Sequence, residues 1–83
     1  MSANVDAYAP ISCMAHERLE FAVLRRQRLS LHFLDGHGVE QTLVVLPTDV
    51  YTRDGAEWLT CRTDAGQTQV IRLDRILVAD TLT

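Results

Sequence analysis

The hydrophobic period of this chain changes once, near residue 28, and that change decides most of what it can fold into. Before it, Ala15, Leu19, Ala22 and Val23 follow the i, i+4, i+7, i+8 spacing of a helix with one buried stripe. After it, Leu29, Leu31 and Phe33 alternate with Ser30, His32 and Leu34, the period of a half-buried strand. With 83 residues in hand, both patterns must share one small core, and there is no room beside it for a second domain or a deep cleft.

The helix is expected over residues 13–26. Pro10 drives Ala9 into extended backbone, and Ser12 can cap the first turn. Met14, Phe21 and Leu24 are read as widening the buried stripe, with Cys13, His16, Glu17 and Glu20 on the opposite face. Glutamates lie early and Arg25, Arg26 and Arg28 late, as the helix dipole favours. Residues 1–7 show no period and are expected to be a flexible N-terminus ahead of a single domain over 8–83.

Five strands follow. They are expected over 29–34, 39–46, 57–63, 67–73 and 76–79, with Pro47 ending the second. Asp35-Gly36-His37-Gly38 and Asp64-Ala65-Gly66 read as turns, residues 48–56 as a longer loop, and Asp74-Arg75 as a short break. Strands this short, joined this tightly, would curl into a small barrel with the helix over one end or edge. Leu19, Val23, Leu29, Leu31, Phe33, Leu59, Ile71 and Ile76 should be largely buried. Trp58 falls on the face opposite Leu59 and Cys61, where it is either packing or a binding anchor.

Composition narrows the function classes. The formal charge is −3, and all eight basic residues are arginine. A free-standing binder of bare nucleic acid normally carries a basic surface, so direct nucleic-acid binding is not expected, although a local patch can outvote the net charge. No apolar run reaches membrane-spanning length, and no secretory segment is visible, which points to a cytoplasmic protein. Cys13 and Cys61 form no metal-type pair and read as two free thiols in the core.

Candidate sites are few. His16, His32 and His37 form no HxH, HxxxH or HExxH pattern, so neither a metal nor any cofactor is expected. No nucleophile-elbow motif is present, and an enzyme is not expected. The two glycines of the 35–38 turn lack the following helix that a phosphate cradle needs. Glu17 and Glu20 are helical neighbours, with His16 four residues before Glu20. That cluster is either a solvated face or an acidic docking face. Arg62, Arg72 and Arg75 form either a nucleic-acid stripe or ion pairs with nearby Asp64 and Asp74.

Several fragments together resemble the Rof family, the Rho-binding antiterminators. They are Tyr8-Ala9-Pro10-Ile11-Ser12-Cys13, Leu19-Glu20, Asp35-Gly36, Glu57-Trp58-Leu59 and Arg72-Leu73-Asp74-Arg75-Ile76, in family order from Tyr8 to Ile76. Met14, Ala15 and His16 stand where family members often carry two acids and an aromatic, while Glu17 keeps the acid that follows. The resemblance implies a small Sm-like five-stranded antiparallel barrel with an N-terminal helix. It also implies a non-enzymatic inhibitor of Rho-dependent transcription termination, and the chain is expected to be a monomer. Such a protein would bind the RNA-binding region of Rho and compete with RNA. Partner-binding residues would then be Tyr8, His16, Glu17 and Glu20. The rival expectation is an Sm-like RNA-binding module using Arg25, Arg26 and Arg28, or Arg62, Arg72 and Arg75.

Overall fold

The computed structural model describes residues 8–82, so the flexible segment expected over 1–7 lies outside the described residues. Helix α1 spans Cys13–Leu24 and is followed by β1 (Leu29–Leu34), β2 (Glu40–Arg53), β3 (Ala56–Thr63) and β4 (Thr68–Arg72). A single 3-10 turn, Leu73–Arg75, then leads into β5 (Ile76–Thr81). Every neighbouring pair is antiparallel, in the order β4-β3-β2-β1-β5.

This is the expected mostly-β class with one helix. The ladder, however, is an open sheet rather than a closed barrel, because the two margins, β4 and β5, do not pair. The sheet is nevertheless strongly curved. Only Leu73–Arg75 separates the end of β4 from the start of β5. Four residue steps reach at most about 14 Å, whereas five flat strands at about 4.8 Å spacing would hold their margins about 19 Å apart. The curl lets one face close around a core of Leu29, Leu31, Phe33, Val45, Leu59, Cys61, Ile71 and Leu73.

Local chemistry explains the elements. Ser12 caps α1, its Oγ accepting from the Ala15 amide at 3.1 Å. The helix carries no acid in its first turn and no base in its last, since Arg25 and Arg26 stand just past it, so the expected match to the dipole is not made inside the helix. Asp35 builds the β1–β2 turn by accepting from the amides of His37 at 2.8 Å and Val39 at 3.0 Å. Those bonds, led by the Val39 amide and helped by the Gln41 side chain, hold its carboxyl below the usual carboxylate range.

The expected loop over 48–56 is instead strand. β2 runs through Pro47 to Arg53, and Asp54-Gly55 closes a two-residue hairpin onto Ala56. Two features permit this. β1 stops pairing with β2 at Val45, so Pro47 lies where β2 has lost that neighbour, beside a register shift between Pro47 and Asp49. Asp54 and Gly55 both have positive φ, 54° and 76°, as the twist-matched hairpin turn requires.

The helix face is also narrower than expected. Met14, Phe21 and Leu24 are exposed, at 70%, 50% and 77%. At about 100° per residue, Leu24 lies directly across the helix from Ala15, and Phe21 and Met14 lie outside the arc from Ala22 to Val23. Leu19 and Ala22 are buried, while Val23 and Ile76 are half-buried against the core. Of the two free cysteines, only Cys61 is a core residue, and burial pushes its thiol up to about 11; Cys13 is exposed.

Candidate functional site

The same angular arithmetic moves His16 off the exposed face. It borders Val23 on the helix and turns toward β3. Its Nε2 stands 2.8 Å from Glu57 Oε2, and its Nδ1 3.2 Å from Glu20 Oε1. A doubly protonated ring donates to both carboxylates at once, whereas a neutral ring donates to one. On the other Glu57 oxygen, the Tyr8 hydroxyl donates at 2.6 Å. Burial, and then the Glu57 carboxylate, push the Tyr8 phenol up to about 12. Tyr8, Glu57, His16 and Glu20 are thus one chain of polar contacts linking the N-terminal segment, β3 and α1.

A second tie holds the same segment. The Ala9 amide donates to Asp74 Oδ2 at 3.0 Å, while Arg72 Nε donates to Asp74 Oδ1 at 2.7 Å. Asp74 is 8% exposed and Arg72 12%, so this pair is shielded from water. Arg75 reaches back to the Asp35 carbonyl at 3.3 Å. The fragments Tyr8–Cys13, Glu57 and Arg72–Arg75 therefore meet in space and fasten the chain's start to the end of its sheet.

Glu17 points elsewhere. With Glu20 and Asp49 it borders a cavity of about 340 Å³ whose apolar lining is Phe21, Val23, Leu24 and Val50. Asp49 arrives from β2, just past the register shift at Pro47. Neither Glu17 nor Asp49 has an ion-pair partner among the described residues, and Glu20 meets only His16. Three carboxylates beside an apolar lining suit a cationic side chain with an aliphatic stem.

Of the four residues expected to bind a partner, the structure joins Tyr8, His16 and Glu20 through Glu57 and sets Glu17 beside Glu20 on the outer face. Two residues were not foreseen. Glu57 is legible in the sequence as a strand residue and as part of the family-like Glu57-Trp58-Leu59 fragment, but not as a partner of Tyr8, since that contact spans 49 positions. Asp49 was hidden by the reading of residues 48–56 as a loop. Trp58 is half-buried, its indole N–H donating to the Arg53 carbonyl at 3.1 Å.

Each arginine grouping expected for RNA loses one member: Arg72 and Arg75 line one cavity apart from Arg62, and Arg26 and Arg28 line another apart from Arg25. Arg72 is paired with Asp74, and Arg75 lies on the β1–β2 turn. Arg25 stacks over the Phe21 ring at 5.3 Å. Arg26, Arg28 and Arg62, drawn from the two groupings, line one cavity instead. No group of three or more metal-binding side chains exists among the described residues, and no described helix is long and apolar enough to cross a membrane.

The sequence is similar to curated proteins of one name. The chain is 34% identical over 71 residues to the curated Protein rof of Escherichia coli (strain K12), covering 86% of this chain and 79% of that protein. The Protein rof of Shigella flexneri matches with the same identity and coverage. No family model matches the chain, and no solved structure matches it significantly.

Proposed function

The chain belongs to the Rof family, and from that premise we propose that it is a non-enzymatic inhibitor of Rho-dependent transcription termination. It binds the RNA-binding region of Rho and excludes the transcript. A surface that holds RNA must be basic. An acidic face with exposed apolar residues is a fitting competitor for it.

The observation that carries this reading is the convergence of Glu17, Glu20 and Asp49 around one partly apolar cavity. Glu17 and Glu20 supply the helix half of that face. Asp49 supplies a carboxylate from β2, which supplements a helix carrying Met14 and Ala15 where relatives often carry acids. His16 and Tyr8 contribute by position: through Glu57 they fix the azimuth of α1 on the sheet and so aim Glu20 outward. Exposed Phe21 and Leu24 flank the carboxylates and give the partner's aliphatic stems something to cover.

Electrostatic contact of this kind acts mainly on association rate and salt dependence. The test is affinity for Rho at two salt concentrations, comparing wild type with the Glu17→Lys, Glu20→Lys double reversal. Folding of the variant is checked by thermal melting, and inhibition is followed in a termination assay with Rho and RNA. The double variant should bind at least ten times more weakly at low salt, on the order of 1.4 kcal/mol or more, and lose most of the salt dependence. Unchanged affinity in a folded double variant overturns the docking face. Absence of wild-type binding at low salt overturns the reading itself.

A further inference from the structure

The helix that carries the acidic face ends in a corner of opposite charge. Arg26, Arg28 and Arg62 line a cavity of about 430 Å³ between the α1–β1 turn and the β3–β4 turn. Asp64 is the one carboxylate in its lining, and it is already held by Arg28 through two bonds of 2.8 Å. Three guanidiniums against one carboxylate leave the corner at +2 in a protein whose formal charge is −3. Arg26 and Arg62 are exposed and have no hydrogen-bond or ion-pair partner through their side chains among the described residues.

Arg26 is an unexpected choice for its position. The helix closes with the Arg26 amide donating to the Val23 carbonyl at 3.2 Å and the Gln27 amide to the Ala22 carbonyl at 2.9 Å. This pair of bonds defines a Schellman ending, and it puts the residue after the cap in left-handed backbone, usually glycine. Arg26 occupies that place with φ 52°. A side chain there strains the backbone, so the fold alone would favour glycine. Arg26 lines the same cavity as Arg28 and Arg62.

We propose that this corner is a binding site for phosphate groups, with Arg26 and Arg62 as the open forks and Arg28 held in place by Asp64. Guanidinium forks match phosphate oxygens in pairs. Leu46 is the one large apolar residue in the lining, and no aromatic ring is present. The site therefore grips phosphate and offers no platform on which a base could stack. Recognition is then independent of base sequence. Two sources share this chemistry: the backbone of single-stranded RNA and the terminal phosphates of a free nucleotide. The site acts without Rho, so it stands or falls separately from the function proposed above.

The experiment uses the whole protein at low salt with two probes, a labelled ten-nucleotide oligouridylate and ADP. Arg26→Gly, Arg62→Ala and their double variant are compared with wild type, and Arg53→Ala, at the distant β2–β3 turn, is the control. The double variant should bind at least ten times more weakly. For the oligonucleotide, the slope of log affinity against log salt should fall by about 1.4, roughly 0.7 for each lost phosphate contact. Arg26→Gly should melt no lower than wild type, since glycine relieves the left-handed strain, so its loss of binding cannot come from unfolding. Binding of the oligonucleotide alone assigns the site to an RNA backbone, and tight binding of ADP assigns it to a nucleotide. The proposal is overturned if neither probe binds, if the variants bind like wild type, or if oligoglutamate of equal length displaces the bound probe as well as the same probe unlabelled does.

Discussion

The two ends of α1 handle charge in opposite ways. Toward the N-terminal end, Tyr8, His16, Glu20 and Glu57 bind one another, and Asp74 ties the preceding segment to Arg72 and the sheet. At the C-terminal end, one exposed pair, Arg28 with Asp64, is the sole ion pair among three arginines. The first arrangement joins residues far apart in sequence and is partly shielded from water, so it contributes to stability. The second is solvated and contributes little. Charges that do not help the fold are free to recognise something else. By that standard, Glu17 and Asp49 resemble Arg26 and Arg62 more than they resemble their neighbour Glu20.

The support common to both ends is the helix–sheet core, and removing it should erase the difference. Leu19 is 3% exposed, and it seats α1 on the sheet. Leu19→Ala should cost about 2–5 kcal/mol, from lost burial and from the cavity left behind. In a domain with roughly 5 kcal/mol to lose, that is enough to unfold a substantial fraction at physiological temperature. Urea unfolding followed by Trp58 fluorescence measures it. A cost below about 1 kcal/mol would show that the helix is held by its polar ties rather than by its apolar stripe.

A smaller and more selective loss comes from Tyr8→Phe, which removes the hydroxyl on Glu57 and leaves the ring. A hydrogen bond to a charged carboxylate is worth about 1.5–3 kcal/mol. Its pH dependence has a definite sign. The phenol is raised from 10.0 to about 12 in the folded protein, so the neutral form is the one the fold holds. Its stabilisation is therefore complete below pH 10.0 and fades as pH rises from there to about 12. The gap between wild type and variant in urea unfolding should persist near neutral pH and close toward the upper limit. A gap that stays constant across that range would mean the hydroxyl contributes by packing alone. The arginine corner should keep its phosphate affinity in this variant.

How much of this was legible in the sequence follows from how local each signal is. The Ser12 cap, the alternation of β1 and the inward set of Leu59 and Cys61 depend on neighbours within a few residues, and each stands in the structure as read. Asp54-Gly55 is an equally local hairpin signal, but Pro47 reads as the end of a strand, although proline is tolerated where a strand has lost a neighbour. The exposure of Leu24 and the inward turn of His16 follow from the helical angle alone, and hydrophobicity overrode it. The site is different in kind. Glu57 meets Tyr8 across 49 residues, and Arg62 reaches the start of β1 through the register that aligns Leu29, Val45 and Thr63 across three strands. Periodicity carries no information about which residues such a register will bring together.

The finest test of the comparison is Asp64→Asn, which touches only the solvated end. The Arg28–Asp64 side chains are 52% and 67% exposed, so breaking their pair should cost less than about 1 kcal/mol. Whatever cost there is should shrink in high salt, where exposed charges are screened. Binding should move the other way. Removing the one carboxylate lining the cavity raises the corner from +2 to +3 and frees Arg28 as a third open fork. Phosphate affinity at low salt should therefore rise several-fold while the fold weakens slightly. That opposition separates a recognition surface from a merely solvated one. If the arginines serve only solubility, both quantities stay put. If the Asp64 pair instead positions Arg28 for the ligand, affinity falls with the pair, and the holding role assigned to Asp64 becomes essential to binding rather than competitive with it.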